Sequence, residues 1–197
     1  MKLFKTFVVA AAAAVGVSSQ AAIVDFENLA NTGVGGYTHF GDVVSSGGFN
    51  FASVVHVGGP DAIAAWTSDS SYYTGTTAIF ANYFDDSLDM THGGGAVFSV
   101  TSIDMADVFL NPLGDTVTFI GTLPDLTTIQ EQVLLTDGST LDTYALTTMN
   151  GIIRMNINES TSNALQIDNL EVTVVPEPAT LAVLGLGVAA LLLRRRK

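Results

Sequence analysis

Short runs of β-branched and aromatic residues, separated by glycine-rich turn signals, fill the sequence between residues 22 and 175. No long stretch of this region has the 3.6-residue apolar periodicity of an amphipathic helix. The pattern therefore predicts an all-β protein, and strands at this spacing favour an antiparallel β-sandwich. The predicted strands are residues 22–26, 49–57, 96–100, 116–120, 128–136, 140–146, 152–157 and 164–174. Asp137-Gly138, between two of these runs, predicts a hairpin turn because both residues tolerate positive φ angles.

The central region is strongly acidic. Between residues 22 and 175 there are 18 acidic residues and one basic residue, Arg154, which gives a formal charge of 1 − 18 = −17. This charge excludes a nucleic-acid-binding protein, which needs a basic surface. Divalent cations or solvent must screen so many carboxylates. The region is long enough for one domain with its own core, and the chain has no cysteine with which to form a disulfide.

The first 21 residues have the parts of a secretory signal peptide. Lys2 and Lys5 form the charged region, residues 7–17 are apolar, and Ser19-Gln20-Ala21 is a small-x-small cleavage site. The apolar run is too short to span a bilayer as a helix. We therefore expect export, cleavage by signal peptidase and a mature chain that begins at Ala22.

The C-terminal end combines a proline motif, an uncharged apolar segment and a basic terminus. The motif is Pro176, Glu177 and Pro178, the apolar segment is residues 179–193, and the basic cluster is Arg194, Arg195, Arg196 and Lys197. A helix over the apolar segment would be roughly 22 Å long, and the arginine stems could extend it across a bilayer. The cations should stay cytoplasmic and leave the body outside. An ordinary tail anchor or a buried core helix is the alternative, although a core helix would not end in four cations.

This C-terminal arrangement resembles the PEP-CTERM sorting signal of Gram-negative bacteria. The resemblance implies that Pro176, Glu177 and Pro178 are recognised by the membrane enzyme exosortase, and that the basic cluster is a retention signal. It also implies an inner-membrane-anchored precursor and a mature protein at the cell surface or outside the cell. Proteins with this tail are typically linked to exopolysaccharide, biofilm or floc formation. The expected organisation is a signal peptide (1–21), a β-sandwich domain (22–174) and a sorting signal (175–197) with a transmembrane helix (179–193).

The body is similar, over about half of its length, to jelly-roll domains of the kind found in carbohydrate-binding modules. The resemblance is carried by residues 23–29, 98–109, 116–121 and 165–173. Many such domains hold a calcium ion where the first and last strands meet. The resemblance therefore implies a calcium site formed by Asp25, Glu27 and Asp168, since carboxylate oxygens are preferred calcium ligands. Solvated acids on either side of a buried Phe26 are the alternative.

Three aromatic residues in the Ser/Thr/Gly-rich middle of the chain are candidates for sugar binding, because aromatic rings stack on the apolar faces of pyranoses. Trp66, Tyr72 and Tyr73 lie outside the predicted strands, so we expect them on loops. The alternative is that their rings fill the core or the ends of the sandwich.

No catalytic residue is predicted. The sequence contains no Gly-x-Ser-x-Gly motif, and His39, His56 and His92 lack zinc-ligand spacing. The sequence favours a non-catalytic surface or matrix protein that associates with exopolysaccharide, with calcium bridging its acids to an anionic polysaccharide. A calcium-dependent polysaccharide hydrolase or lyase, and a self-associating adhesion subunit, are the alternatives.

Overall fold

Strands account for all the regular secondary structure in the parts of the chain that the structure describes. The computed structural model describes residues 21–29, 36–83, 85–110, 115–136, 138–159 and 165–175, all within the compact unit Gln20–Val175. No helix that could span a membrane occurs among these residues. The predicted signal peptide up to residue 20, the proline motif, the predicted transmembrane helix and the basic cluster lie outside the described residues.

Thirteen strands are present in the described ranges. They are β1 (Ala21–Val24), β2 (Tyr37–Gly41), β3 (Val43–Ser46), β4 (Phe49–Ser53), β5 (Ile63–Trp66), β6 (Ile79–Ala81), β7 (Leu88–His92), β8 (Phe98–Asp107), β9 (Asp115–Thr122), β10 (Thr128–Leu135), β11 (Asp142–Ala145), β12 (Arg154–Glu159) and β13 (Leu165–Val174).

The strands form two antiparallel sheets that pack as a sandwich. One sheet has the order β11-β8-β13-β6-β5-β2, with β1 also paired to β13, and the other has the order β10-β9-β12-β7-β4-β3. The predicted all-β sandwich is therefore confirmed. Buried phenylalanines fill the space between the sheets, with Phe26 against Phe51 at 5.0 Å and Phe49 against Phe98 at 5.1 Å, both edge to face.

Strand β13 changes its neighbour part-way along its length. Ile167 pairs with Ile79 of β6, whereas the residues from Leu170 onward pair with β1. The change coincides with an irregularity in the β8–β13 pairing at Asn169, whose φ angle is 46°. Asparagine tolerates this left-handed conformation better than most residues. The bulge therefore places Asp168 where β1, β6 and β8 meet.

The predicted hairpin at Asp137-Gly138 is wrong. Strand β10 pairs with β9 in one sheet and β11 pairs with β8 in the other, so the chain crosses between sheets at this point. Leu135 and Leu146, on either side of the crossing, are both buried in the core. A tight hairpin occurs instead at Gly47-Gly48 between β3 and β4, where both glycines have positive φ angles.

Candidate functional site

Five aromatic rings form a cluster on the outer face of the seven-stranded sheet. We call Tyr37, Trp66, Tyr72, Phe80 and Phe109 the aromatic cluster. Trp66 is its centre, with ring-centroid distances of 5.7 Å to Tyr37, 5.0 Å to Tyr72, 5.3 Å to Phe80 and 6.1 Å to Phe109. Tyr72 and Phe109 also meet edge to face at 5.5 Å.

Strand alternation places these rings outside the main core. Ile63 of β5 and Ile79 of β6 point into the sandwich. Trp66 lies three residues after Ile63 and Phe80 one residue after Ile79, so both side chains point to the opposite face of the sheet. Tyr37 lies directly opposite Trp66 in the β2–β5 register and therefore shares its face. Phe80 forms a small buried cluster that is separate from the main core, with Trp66 packed against it.

Hydrogen bonds fix the centre of the cluster. The indole N–H of Trp66 donates to the carbonyl of Val108 at 2.7 Å. The buried side-chain amide of Gln166 donates to the carbonyls of Asp107 and Val108, and at 3.4 Å to that of Tyr72. These bonds tie the segment that carries Tyr72 to the end of β8, so the rings are held in place before any ligand arrives.

A shallow pocket of about 210 Å³ opens beside the cluster. Its lining is Tyr37, Trp66, Phe80, Ala81, Asn82, Val108 and Phe109. Tyr37 is 44% exposed and Trp66 is partly exposed, so both rings are accessible at the surface. Asn82 supplies a polar group, and its side-chain amide donates to the backbone carbonyl of Asp61 at 3.0 Å. An apolar concavity with few polar groups is the usual form of a small-ligand site.

The structure brings together two of the three predicted ligand-binding residues. Trp66 and Tyr72 are neighbours in the cluster, although Trp66 ends strand β5 and the prediction that it lies on a loop is wrong. Tyr73 makes no ring contact with the cluster among the described residues, and its N–H donates to the carbonyl of Ser70. Its role in binding stays a prediction. Sequence reasoning missed Tyr37, Phe80 and Phe109, which only the strand register brings beside Trp66.

Two of the residues predicted to bind calcium lie near each other, at the point where β1, β6 and β8 meet. The backbone N–H of Thr77 donates to Glu27 at 2.8 Å, and the hydroxyl of the preceding residue, Thr76, donates to Asp168 at 2.6 Å. The backbone carbonyl of Asp25 accepts a hydrogen bond from the hydroxyl of Ser46.

The described residues do not form a ready-made metal site. No group of three or more His, Cys, Asp or Glu side chains among them is arranged to hold a metal ion. Thr76 and Thr77 already donate hydrogen bonds to Asp168 and Glu27, and such bonds can coexist with metal ligation because each carboxylate has further lone pairs. The calcium site stays a prediction.

Asp168 is a buried carboxylate in an acidic neighbourhood. It is 1% exposed and pairs across the sheet with Asp104, whose carboxylate accepts hydrogen bonds from Thr143 and Asn169. Burial raises the pKa of Asp168, hydrogen bonds from Thr76 and Asn169 oppose the rise, and the nearby carboxylates of Glu27 and Asp104 add to it. The net pKa lies above its ordinary value, so the folded protein holds a proton here more tightly than the unfolded chain does.

Replacing Asp168 with asparagine is expected to remove part of the pH dependence of stability. A raised pKa in the folded state stabilises the protein below the unfolded pKa of about 3.9, and this contribution is lost as the pH rises through the folded pKa. Asparagine imitates the protonated acid, so Asp168→Asn should gain stability relative to wild type as the pH rises. Melting curves of both proteins from pH 3 to pH 8 measure the difference in stability, and a difference that does not change with pH would contradict the prediction.

The same variant tests the calcium site. A calcium-induced rise in melting temperature in wild type, absent from Asp168→Asn, would support the calcium site.

Arg154 and the histidines His56 and His92 contact neighbouring residues of the fold. Arg154 forms an ion pair with Asp89, and Asn156 donates to the same carboxylate at 2.9 Å. The ring of His56 stacks on Tyr83 at 3.8 Å. The ring nitrogen Nδ1 of His92 accepts hydrogen bonds from the backbone N–H groups of Gly94 and Ala96.

The sequence beyond the last described strand carries a known sorting motif. Residues 174–197 match the PEP-CTERM protein-sorting motif. The chain ends in a PEP-CTERM signal. The PEP-CTERM motif implies exosortase as the processing partner and an exported, membrane-anchored precursor. No curated protein matches the sequence.

Two solved structures are similar to the chain. A DUF4465 family protein from Bacteroides ovatus is 10% identical with a TM-score of 0.43, and the match covers 80% of this chain and 99% of that one. The CBM22-1–GH10 modules of endo-1,4-β-D-xylanase 10B from Clostridium thermocellum, complexed with xylohexaose, are 11% identical with a TM-score of 0.38. That match covers 80% of this chain and 29% of the xylanase. At these identities the likeness concerns the β-sandwich fold alone.

Proposed function

We propose that this chain is a secreted, exosortase-processed protein of the cell surface or extracellular matrix that binds exopolysaccharide without cleaving it. The pocket beside the aromatic cluster is the observation that carries the proposal. Aromatic rings accommodate the apolar faces of sugar rings, and few polar groups are needed to orient them. The PEP-CTERM signal supports export of the protein, which an exopolysaccharide-binding function requires.

The aromatic cluster lies outside the main core. The main core is formed by other residues, including Phe26, Phe51 and Phe119, which are fully buried between the sheets. Tyr37 and Trp66 instead leave apolar surface open to solvent beside a concavity. Exposed aromatic surface of this kind is typical of a place where a partner binds.

The hydrolase or lyase alternative receives less support. Glycoside hydrolysis ordinarily needs two carboxyl groups that reach the scissile bond. Asp104 and Asp168 form a cross-strand carboxylate pair on the same sheet as the pocket, but Asp168 is 1% exposed and hydrogen-bonded to Thr76. A substrate could not reach it without displacement of the segment that contains Thr76. We therefore favour binding over catalysis.

Replacing Tyr37 with alanine is expected to weaken retention on exopolysaccharide. Loss of one stacking ring should reduce affinity roughly tenfold, equivalent to about 1.4 kcal/mol. Co-sedimentation of the purified protein with exopolysaccharide from the producing organism measures the effect. Tyr37→Phe is the matched control, because it keeps the ring and should retain most of the binding. Tyr73→Ala tests the remaining predicted aromatic residue.

The same assay separates the alternatives. Equal retention of Tyr37→Ala and wild type would contradict binding at the aromatic cluster. Release of soluble sugar during the assay would favour the enzymatic alternative. Retention that is lost in chelator would support a calcium bridge between the acids and an anionic polysaccharide.

A further inference from the structure

The charge around the pocket has one sign. Arg154 is the only Lys or Arg among the described residues, and it lies on β12 of the other sheet, where it contacts Asp89. The ring of the nearby His39 meets that of Tyr37 at 4.8 Å. An acidic polysaccharide in the pocket would therefore meet no Lys or Arg from the described parts of the chain.

One acidic residue adjoins the pocket, and another lies farther along the same sheet. Asp61 adjoins one wall, because its backbone carbonyl binds the Asn82 side chain while its carboxylate accepts the Tyr83 hydroxyl at 2.8 Å. On the other side, Gln166 holds the wall at Val108. Asp168 lies two residues farther along β13 on the same face as Gln166, a distance of about 7 Å along the strand. The β8–β13 register pairs Asp168 with Asp104, four residues before the lining residue Val108, which is roughly 13 Å along β8. The charge of Asp168 therefore acts on a ligand in the pocket only at low salt.

We propose that the pocket takes a glycan with free amino groups, in preference to the same glycan with its amines acetylated, and that it rejects acidic glycans. The proposal rests on the proposed glycan-binding function and specifies the class of sugar. The aromatic rings would hold the apolar face of a sugar ring, and the carboxylate of Asp61 would attract its ammonium group. The body's charge of −17 acts in the same direction at longer range. Such a ligand needs no calcium bridge.

Three oligosaccharides of equal length test the preference. They are a glucosamine oligomer, an N-acetylglucosamine oligomer and a galacturonic acid oligomer, each titrated into the full chain at a pH that keeps the sugar amines protonated. Trp66 is the only tryptophan in the chain, so its fluorescence reports on the pocket. A carboxylate about 10 Å from an ammonium group strengthens binding by roughly twofold in water, so Asp61 predicts about a twofold preference for the amine, to which the body's net charge adds at low salt. The preference should shrink as salt is added and persist in chelator.

Asp61→Asn is the variant that tests the charge at the pocket wall. Asparagine keeps the oxygen that accepts the Tyr83 hydroxyl, so the change removes charge with little effect on packing. We expect roughly twofold weaker binding of the glucosamine oligomer and unchanged binding of the acetylated one. Asp125→Asn is the matched control, since Asp125 lies in the β9–β10 turn and uses one oxygen to accept hydrogen bonds from Thr127. It should change neither affinity.

The outcomes distinguish this proposal from the proposed function. The galacturonic acid oligomer could bind as tightly as the glucosamine oligomer, with binding of both lost in Tyr37→Ala. That result would overturn the charge preference and leave the glycan site intact. Binding of the glucosamine oligomer that Tyr37→Ala does not weaken would show diffuse attraction to the acidic surface and overturn both. Failure of all three oligomers to bind, with retention on exopolysaccharide unchanged, would overturn the preference for amines and leave the proposed function intact.

Discussion

Replacing Phe51 with alanine is expected to lower the free energy of unfolding by about 3–5 kcal/mol. Phe51 is fully buried on β4 of the six-stranded sheet. Its ring meets that of Phe26 at 5.0 Å, and Phe26 lies two residues after the end of β1, a strand of the opposite sheet. The substitution would therefore open a cavity between the two sheets, at the place where their aromatic side chains interlock. Urea unfolding of both proteins measures the difference.

Two control variants define what this result means. Phe51→Leu keeps most of the apolar volume and should cost less than about 1.5 kcal/mol. Leu134→Ala removes a side chain that is 57% exposed on β10, and it should change stability by less than about 0.5 kcal/mol. Equal unfolding midpoints for Phe51→Ala and wild type would contradict the described packing of the sandwich.

Replacing Asp86 with alanine is expected to cost about 2–4 kcal/mol of stability. The Asp86 side chain is fully buried and accepts four hydrogen bonds. The donors are the hydroxyl of Ser53 and the backbone N–H groups of Val54, Val55 and Ser87. Alanine would leave these donors without their partner at the end of β4. Asp86→Asn is the matched control, because it keeps one acceptor oxygen and should cost less.

The effect of Asp86 on stability should depend on pH in the opposite sense to that of Asp168. Burial raises the pKa of Asp86. The hydrogen bonds from Ser53, Val55, Ser87 and Val54 together lower it by more than burial raises it, so the net pKa lies below its ordinary value. A lowered pKa stabilises the folded state above the unfolded pKa of about 3.9, and this contribution is lost as the pH falls through the folded pKa. The difference between wild type and Asp86→Asn should therefore shrink in acid. Urea unfolding at neutral and acidic pH measures it, and a difference that grows in acid would contradict the described hydrogen bonds.

The strands that sequence reasoning found are those with long runs of strand-forming residues. Strands β9, β10 and β13 contain several Val, Ile and Thr residues, and each was predicted within a few residues of its bounds, as was β12. Strands β5 (Ile63–Trp66) and β6 (Ile79–Ala81) were missed. Their segments are short and rich in alanine, and burial on both faces removes the polar alternation that marks a strand.

The aromatic cluster could be predicted only in part. Trp66 and Tyr72 are candidates for sugar binding from the sequence, because they are large aromatic residues in a Ser/Thr/Gly-rich segment outside the predicted strands. Tyr37 joins them through the β2–β5 register, and Phe109 joins them from the end of β8. These contacts connect residues far apart in the sequence, and a single sequence does not specify which strands will be neighbours. The wrong hairpin at Asp137-Gly138 has the same origin, because a turn signal does not determine which sheet receives the next strand.

Fluorescence of Trp66 tests the central claim most directly, because the chain's only tryptophan lies in the proposed glycan site. Titration of the purified protein with exopolysaccharide from the producing organism should give a saturable change in emission. The change should be strongly reduced in Tyr37→Ala and preserved in Tyr37→Phe. Retention of the protein on the same polysaccharide with no change in Trp66 emission would place binding elsewhere and contradict the claim.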